Sequence, residues 1–333
     1  MIALPITEPS QIADARRRAQ GLAHSIGFDA TDSGRVAIVA TELATNLIKY
    51  GLQGQLLIGA FEDRTGSGVE VISLDKGPGI GNLQESLRDG HSTGGSAGTG
   101  LGAVRRQSQA FDIASWPGLG TAVLARLQRG TPKPADQVAL APWGAVVLAL
   151  PGEEACGDAY CARDIDGVHT IIVADGLGHG PNAAQAADEA VRIFRRHEAE
   201  APHLTVEAVH AGLRHTRGAA VAVARLELAR KIVAFAGVGN IAGTVIAAGQ
   251  ARKMVSHAGT AGHVARRIQT FEYPFPAGSL LVMHSDGLAS SWSLDRYPGL
   301  VGAHPSLIAA VLYRDFSRGR DDVTVLVATG APR

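Results

Sequence analysis

A wholly apolar run meets a glycine-rich turn near the middle of the chain. Residues 171–174 are Ile-Ile-Val-Ala, and a short apolar run bounded by turn signals predicts a buried strand. Asp175 ends this strand, and residues 176–180 read Gly-Leu-Gly-His-Gly. Small and apolar residues then recur at helical spacing over residues 182–196, after Pro181. A carboxylate at a strand end can reach a metal ion from rigid support, whereas a plain strand–turn–helix is the alternative.

The first part of the chain is patterned for a short strand and two helices. Apolar residues 2–6 predict the strand. Helical spacing then begins at Ser10, and Gly27 can stop it. Residues 31–32 (Thr-Asp) are expected to cap a second helix, which runs to about Tyr50. Glu42 and Asn46 in this helix are four residues apart among apolar neighbours, and therefore share one face.

Glycine-rich segments follow the two helices. Strands are predicted over residues 55–62 and 68–75, and the second ends in Asp75 before Lys-Gly-Pro-Gly. Residues 89–99 are rich in Gly, Ser and Thr, a composition typical of a mobile lid. Residues 98–104 then open a third helix, whose free backbone N–H groups can hold phosphate. Two closing strands are expected at residues 111–113 and 121–125.

The order of these motifs resembles the GHKL ATPase superfamily, in particular its compact RsbT-like switch kinases, over roughly residues 1–127. The resemblance implies an α/β sandwich that binds ATP and Mg²⁺. It also implies a role for each matching residue. Glu42 would polarise the attacking hydroxyl, and Asn46 would hold Mg²⁺. Asp75 would accept from the adenine amino group with support from Thr121, while Gly77 and Gly79 would line the adenine side; Gly100 and Gly102 would approach the phosphates, and Lys49 is a weaker phosphate candidate.

Histidine kinases share this nucleotide pocket but need a phospho-accepting histidine on an upstream helical hairpin. Only about 30 residues precede the helix of Glu42, and His24 is the one histidine among them. A serine/threonine kinase acting on a partner protein therefore fits better. A nucleotide-binding module that captures a partner, or that regulates the second half of the chain, is the closest rival.

A polar, proline-containing stretch at residues 129–136 has the composition of a semi-rigid linker. We therefore predict one domain at residues 1–129, a linker at 130–137 and a second domain at 138–333. Further elements of the second domain are predicted from the apolar pattern. Strands are expected within 138–150, 219–228, 231–237, 243–248, from 280 to the Asp-Gly at 286–287, and within 319–327, and helices at 205–216 and 306–314.

The second domain carries several acids at predicted strand ends or turns: Asp158, Asp175, Asp286, and Asp321 or Asp322. Converging carboxylates are costly without compensating cations. The usual resolution is a hard divalent ion, Mg²⁺ or Mn²⁺.

The motifs Gly-Asp, Asp-Gly-x-Gly-His-Gly, Ser-Asp-Gly and Asp-Asp-x-Thr resemble the metal-dependent PPM-type phosphatases, and within them the bacterial SpoIIE/RsbX-like branch. The match covers about residues 138–328 and implies a β-sandwich flanked by helices, with two Mn²⁺ or Mg²⁺ ions that activate water against phosphoserine or phosphothreonine. It assigns the ligands residue by residue: Asp175 would bridge both ions, the Gly176 carbonyl would bind one, Asp286 and Asp321 would hold the second, and Asp158 would act through a water molecule.

The match leaves two assignments open. Asp321 is preferred to Asp322 because the family's ligand is the first residue of its acidic pair. Eukaryotic-type members carry a histidine two places after the bridging aspartate, where this chain has Leu177. His179 is the nearest histidine, and either a general-acid role or a plain helix-start contact fits it.

Composition narrows the classes of partner. The chain of 333 residues has 31 Lys and Arg against 31 Asp and Glu, so a basic nucleic-acid surface is not supported. The two cysteines, Cys156 and Cys161, are too few for a disulfide framework or a zinc site and are expected to be reduced. The N-terminus lacks the pattern of a signal peptide, and the apolar run at 138–150 is too short to span a bilayer. We therefore expect a soluble, cytoplasmic protein.

The two resemblances together predict an α+β protein of two domains and a bifunctional signalling switch. An ATP-dependent Ser/Thr kinase domain would phosphorylate STAS-domain antagonist proteins, of the anti-anti-sigma or stressosome type, and the phosphatase domain would remove such phosphates. An anti-sigma factor or a downstream regulator is a further expected partner. The setting implied is bacterial stress or sigma-factor partner switching.

Overall fold

The computed structural model describes residues 1–63, 66–83, 100–130, 142–197 and 201–330. These divide into two compact units, one within residues 1–141 and 294–311 and the other within 142–293 and 312–332. The predicted lid at 89–99 and most of the predicted linker lie outside the described residues. The prediction of an α+β protein with two domains is confirmed, whereas the boundaries at 129 and 138 remain a prediction.

The first unit contains a five-stranded antiparallel sheet in the order β1-β2-β3-β5-β4. Its described elements are, in chain order, β1 (Ile2–Pro5), α1 (Ser10–Ser25), α2 (Ala30–Tyr50), β2 (Gln55–Asp63), β3 (Gly66–Leu74), α3 (Gly100–Gln107), β4 (Ala110–Trp116) and β5 (Gly120–Gln128). β2 pairs with β3 and β4 pairs with β5, and β3 and β5 are direct antiparallel neighbours although α3 and β4 lie between them in the chain.

The helices cover one face of this sheet because their apolar residues recur at helical spacing. Ala15, Ala19 and Ala23 of α1 are fully buried, and Val36, Val39, Leu43 and Leu47 form the buried stripe of α2. These residues pack in one core with alternate residues of the strands. Alanines on the buried face of α1 let this helix approach its neighbours closely, as the glycine- and alanine-rich sequence implies.

The start of α2 differs from the sequence prediction. The helix begins at Ala30, and its cap is Asp29, whose carboxylate accepts from the Asp32 amide at 2.8 Å. Asp32 was predicted to lie in the cap, but its own carboxylate pairs with Arg35 at 2.7 Å and accepts from the Gly130 amide at 2.7 Å. Arg35 in the same helix and Gly130, 98 positions away in the chain, therefore occupy the side chain that the local pattern assigned to the cap.

The first unit also includes a segment from far along the chain, residues 294–311. Arg126 on β5 donates to Glu70 on β3 at 2.5 Å and to the hydroxyl of Ser306 at 2.8 Å. Its guanidinium lies 4.5 Å from the centre of the Phe61 ring. Since Arg126, Glu70 and Ser306 are all buried, the charge of the arginine is balanced inside the unit.

The second unit contains two five-stranded sheets in the orders β15-β10-β9-β8-β7 and β12-β11-β16-β17-β6, and the short pair β13-β14. Its strands are β6 (Trp143–Leu148), β7 (Asp158–Ile165), β8 (Val168–Gly176), β9 (Ala219–Glu227), β10 (Ile232–Val238), β11 (Ala242–Ala247), β12 (Gln250–Lys253), β13 (Gly259–Thr260), β14 (Val264–Ala265), β15 (Phe271–Pro274), β16 (Leu280–His284) and β17 (Val323–Thr329). Its helices are α4 (Pro181–Arg196) and α5 (Pro202–Gly212), and α6 (Pro305–Phe316) ends in it.

Helix packing in this unit follows the apolar pattern. Ala187, Ala190 and Phe194 on α4 are buried against Ile172 and Ala174 of β8. The apolar face of α4 and the residues of β8 that point toward this helix therefore pack in one hydrophobic core. Within the described ranges, no helix is both long enough and apolar enough to cross a bilayer.

Several predicted bounds in this unit were wrong. Asp158 was placed in a turn, but it is the first residue of β7. The helix predicted at 205–216 begins at Pro202, because proline suits the first turn, and gives way after Gly212 to a 3₁₀ turn at Leu213–His215. The short strands β12 to β15 were not predicted, since two to four residues carry too little periodicity to be recognised.

Candidate nucleotide and metal sites

Three of the predicted nucleotide residues meet where α2 passes the start of α3. A Cβ atom placed on Gly100 would lie 3.4 Å from Oε2 of Glu42 and 3.5 Å from Oδ1 of Asn46. Gly102, one turn into α3, is buried. The backbone at position 100 thus lies close to a carboxylate and an amide oxygen, and the first N–H groups of α3 have no carbonyl acceptor within the helix itself. These residues fit an Mg²⁺–phosphate group.

A second group of predicted residues meets at the end of β3. The Asp75 amide donates to the Thr121 carbonyl at 3.0 Å, and the Asp75 carboxylate accepts from the Gly77 amide at 2.7 Å. Gly120 has φ +87°, and a Cβ there would run into the Asp75 carbonyl. The glycine before Thr121 is therefore required for the close approach of β5 to Asp75.

Ser115 belongs to the same group, although the sequence pattern did not indicate it. Its hydroxyl lies 2.8 Å from that of Thr121 and accepts from the Ile80 amide at 2.7 Å. The pair of hydroxyls thus ties β4 and β5 to the turn that follows Asp75. No local motif marks a serine in the middle of a strand for this role.

Two predicted residues lie apart from these groups. Lys49 is exposed, and among the described residues it makes no ion pair. Gly79 has φ +78° and packs against the Trp116 carbonyl, which makes it a turn residue beside β4. The roles of both toward a nucleotide remain predictions.

Asp158 and Asp175 form the centre of the predicted metal site. The two are cross-strand partners in the antiparallel pair of β7 and β8. Asp158 is buried; its Oδ2 accepts from the Ser285 hydroxyl at 2.6 Å, while its Oδ1 has no hydrogen-bond partner within the described structure. A buried carboxylate oxygen without a partner is costly, and a cation or its bound water would satisfy it.

The pKa values of these two carboxyls are raised. Burial raises the pKa of Asp175 to about 9, and the neighbouring carboxylates of Asp158, Asp286 and Asp321 add to the effect. Burial likewise raises the pKa of Asp158 to about 7, against the opposing effect of the Ser285 hydrogen bond. Mutually repelling carboxylates of this kind are what divalent cations stabilise in proteins.

Asp286, Asp321 and Asp322 differ in how their carboxylates are used. Asp286 accepts from the Asn240 side-chain amide at 2.8 Å. Asp321 accepts from the Asp322 amide at 2.9 Å. Asp322 is buried, and both of its oxygens accept backbone N–H groups at 2.8 Å, from Leu150 and from Gly157. Asp322 is thus a structural clamp, which favours Asp321 as the metal ligand.

Gly176, the remaining predicted ligand, occupies a position that has no room for a side chain. A Cβ on Gly176 would run into the Ala183 carbonyl at the start of α4, so only glycine suits this position. In the ranges that the structure describes, no three His, Cys, Asp or Glu side chains are grouped closely enough to hold a metal ion on their own. The donor set is composed of carboxylate and carbonyl oxygens, which Mg²⁺ and Mn²⁺ prefer.

His179 and the cysteines complete the surroundings of this site. Nδ1 of His179 lies 2.7 Å from Oε1 of Glu153, and both side chains are partly exposed. Ser285, Asn240 and Glu153 were not predicted; the Ser-Asp-Gly motif marked Ser285 by position only. Cys156 and Cys161 are free, as predicted, and burial raises the pKa of the Cys156 thiol to about 12.

Comparison with known families agrees with both resemblances. Residues 7–127 match the family described as a histidine kinase-like ATPase domain. Residues 166–330 match the family described as stage II sporulation protein E, SpoIIE. The prediction of an ATPase domain followed by a phosphatase domain of the SpoIIE type is therefore confirmed.

Three known proteins illustrate the similarity. The serine/threonine-protein kinase RsbT of Bacillus subtilis (strain 168) is 36% identical over 114 residues, which cover 34% of this chain and 86% of RsbT. A chain from a structural study of the bacterial stressosome, a modular system adapted to control secondary messenger signalling, is 29% identical with a TM-score of 0.52, covering 56% of this chain and 98% of that one. RsbX in complex with magnesium is 19% identical with a TM-score of 0.48, covering 56% and 92%.

Proposed function

Since this chain belongs to the RsbT family in its ATPase domain and carries a SpoIIE-type phosphatase domain after it, we propose that it is a bifunctional protein-phosphorylation switch. The ATPase domain would phosphorylate Ser or Thr on a partner protein, and the phosphatase domain would remove phosphate from the same class of partner. The observation that carries the proposal is the cross-strand pair of Asp158 and Asp175, with a buried carboxylate oxygen that has no partner in the described structure.

In the phosphatase domain, Asp175, the Gly176 carbonyl, Asp286 and Asp321 would hold two Mn²⁺ or Mg²⁺ ions. When bound, such a pair of ions activates water and neutralises the phosphoryl oxygens. The chain itself supplies the supports: Ser285 orients Asp158, and Asn240 orients Asp286. The carboxylate of Asp322 joins Leu150, which follows β6, to Gly157, which precedes β7, by accepting a backbone hydrogen bond from each.

In the ATPase domain, Asn46 would hold Mg²⁺, and Glu42 would accept the proton of the partner's hydroxyl. Asp75 would accept from the adenine amino group, since a carboxylate pairs with an exocyclic amine. The position of Gly100 supports this assignment, because the start of α3 lies close to both Glu42 and Asn46. ATP supplies the phosphoryl group in this scheme.

The partner class is proposed from the relatives. RsbT is a serine/threonine kinase by name, and one similar chain comes from a stressosome study. We propose STAS-domain proteins of the anti-anti-sigma or stressosome type as substrates of both domains, with an anti-sigma factor or another regulator downstream. The formal net charge of zero is in line with a protein partner rather than nucleic acid.

The test is phosphate transfer in both directions on one purified STAS-domain partner. Labelled ATP and Mg²⁺ should place label on Ser or Thr of the partner, and added Mn²⁺ should remove it. Asn46→Ala should block labelling without affecting removal, and Asp175→Asn should do the reverse. Labelling that never occurs although ATP binds would instead assign the ATPase domain to capture of the partner or to regulation of the phosphatase. Failure to dephosphorylate with any divalent metal would refute the phosphatase function.

A further inference from the structure

The strand register extends beyond the end of β8 and brings an arginine onto the loop that follows Asp175. Asp175 pairs with Ala220 and Gly176 with Ala219 in the antiparallel ladder of β8 and β9. One step further, the Leu177 amide donates to the Gly218 carbonyl at 3.0 Å. The next position in this register sets Arg217 opposite Gly178. A Cβ placed on Gly178 would indeed lie 3.3 Å from Nη1 of Arg217.

The backbone that carries Arg217 is held from several sides. His263 Nε2 lies 2.9 Å from the Arg217 carbonyl, to which it donates. The Gly218 amide donates to the Thr216 hydroxyl at 3.0 Å, and Ala219 exchanges two backbone hydrogen bonds with Ala261. Gly218 has φ +79°, where other residues are strained. The arginine is therefore presented from a fixed turn rather than from a free loop.

The charge of Arg217 is available to a ligand. Its side chain is exposed, and within the described ranges no carboxylate forms an ion pair with it. Glu153, the acid that meets the neighbouring His179, pairs with that histidine at 2.7 Å. A guanidinium thus lies over the loop that begins at Asp175, the predicted bridging ligand.

We propose that Arg217 is the phosphate anchor of the phosphatase domain. Its planar fork suits two oxygens of a phosphoserine or phosphothreonine dianion. Gly178 lacks a side chain, so nothing at that position separates the guanidinium from the loop. This inference rests on the proposed phosphatase function and names the residue that binds the substrate's phosphate directly.

The experiment compares Arg217→Ala and Arg217→Lys with Arg214→Ala in the full-length protein. Arg214 is an exposed arginine three positions earlier in the 3₁₀ turn Leu213–His215, which makes it a matched control. With saturating Mn²⁺ and a phosphoserine peptide, Arg217→Ala should raise KM about 10-fold, since the charge-assisted hydrogen bonds from the guanidinium to the phosphate are lost. Its kcat should change less, Arg217→Lys should be intermediate, and Arg214→Ala should match the wild type.

Binding of inorganic phosphate to the Mn²⁺-loaded protein, measured by calorimetry, tests the anchor without turnover. Arg217→Ala should weaken phosphate binding by a similar factor and leave Mn²⁺ binding unchanged. If Arg217→Ala and Arg214→Ala give the same KM and the same phosphate affinity, the proposal is wrong. A wild type that hydrolyses no phosphopeptide would refute the phosphatase function alone; phosphate binding lost only in the Arg217 variants would still support the anchor.

Discussion

Asp158 and Asp175 face each other across the antiparallel pair of β7 and β8, so strand register places two buried or partly buried carboxylates side by side. Such a pair is unfavourable by itself and favourable around divalent cations. The same register continues to Ala220 on β9 and beyond it to Arg217. The same end of this sheet thus carries both Asp158 and Asp175, which are predicted to bind metal, and the proposed phosphate anchor Arg217.

Replacing Asp175 should lower the phosphatase activity but raise the thermal stability of the metal-free protein. Asp175→Asn should lower phosphatase activity at least 100-fold, because the carboxylate proposed to bind the metal ions is lost. In EDTA near neutral pH, however, the variant should unfold about 2–4 °C higher, because the wild type must take up a proton on Asp175 when it folds, whereas asparagine is neutral in both states. Thermal unfolding and peptide dephosphorylation measure the two effects. Asp166→Asn, an exposed acid in the turn between β7 and β8, is the control; a lower melting temperature for Asp175→Asn in EDTA would contradict the assignment.

The pH dependence of the metal-free protein should follow the two raised pKa values. The folded-state pKa values, about 9 for Asp175 and about 7 for Asp158, lie above the ordinary aspartate pKa of 3.8. The folded protein therefore binds more protons than the unfolded chain between these limits, and this contribution to stability is lost as pH rises from about 4 to 9. Melting temperatures in EDTA, taken as the difference between wild type and Asp175→Asn, should show this trend.

The same protons compete with metal ions. The apparent affinity for Mn²⁺ should therefore increase between pH 6 and pH 9, and Mn²⁺ should raise the melting temperature more at the higher pH. Calorimetric titration at several pH values checks this expectation. An affinity independent of pH across this range would show that these carboxyls do not bind the ion.

Asp321 and Asp322 should respond differently to the same substitution. Asp322→Asn replaces an oxygen that accepts a backbone N–H, at a cost of about 1–3 kcal/mol of unfolding free energy. Asp321→Asn should leave the stability in EDTA nearly unchanged and weaken Mn²⁺ binding instead. Urea unfolding in EDTA and Mn²⁺ titration distinguish them. The reverse pattern would make Asp322 the ligand.

Substitutions of Glu42 and of Asn46 should affect different steps in the ATPase domain, phosphate transfer and ATP binding respectively. Glu42→Gln should retain ATP binding but lose phosphate transfer by about 100-fold or more, because a positioned base contributes about 10²–10⁴-fold. Asn46→Ala should weaken Mg²⁺-dependent ATP binding itself. Glu62→Gln, at an exposed position on β2, is the control. Equal transfer by wild type and Glu42→Gln would show that Glu42 is not the base.

The buried ion pair of Glu70 and Arg126 should be costly to break on one side. Arg126→Met leaves Glu70 buried without its cation and should lower the unfolding free energy by about 3–5 kcal/mol. The double variant Glu70→Met, Arg126→Met should recover part of this loss, as urea unfolding can measure. Arg17→Met, which breaks an exposed pair with Asp14, should have little effect. A double variant less stable than Arg126→Met would contradict this account.

The amino-acid sequence alone determined the two families and the residues proposed for their sites. Strand-end acids before glycines, at Asp75, Asp175 and Asp286, depend on local order along the chain, and so do the helix positions of Glu42 and Asn46. The apolar periodicity that buries α2, α4 and β8 is equally local. These features could be predicted because each lies within one element and its adjoining turn.

Only the tertiary structure decided the contacts between distant residues. Ser285 on Asp158, Asn240 on Asp286 and Ser306 on Arg126 join residues 46 to 180 positions apart. The structure likewise shows that Asp322 accepts from Leu150 and Gly157, which supports the proposal of Asp321 as the metal ligand. Hydrogen-bond partners of a side chain are set by the packing of separate elements, and no local pattern contains that information.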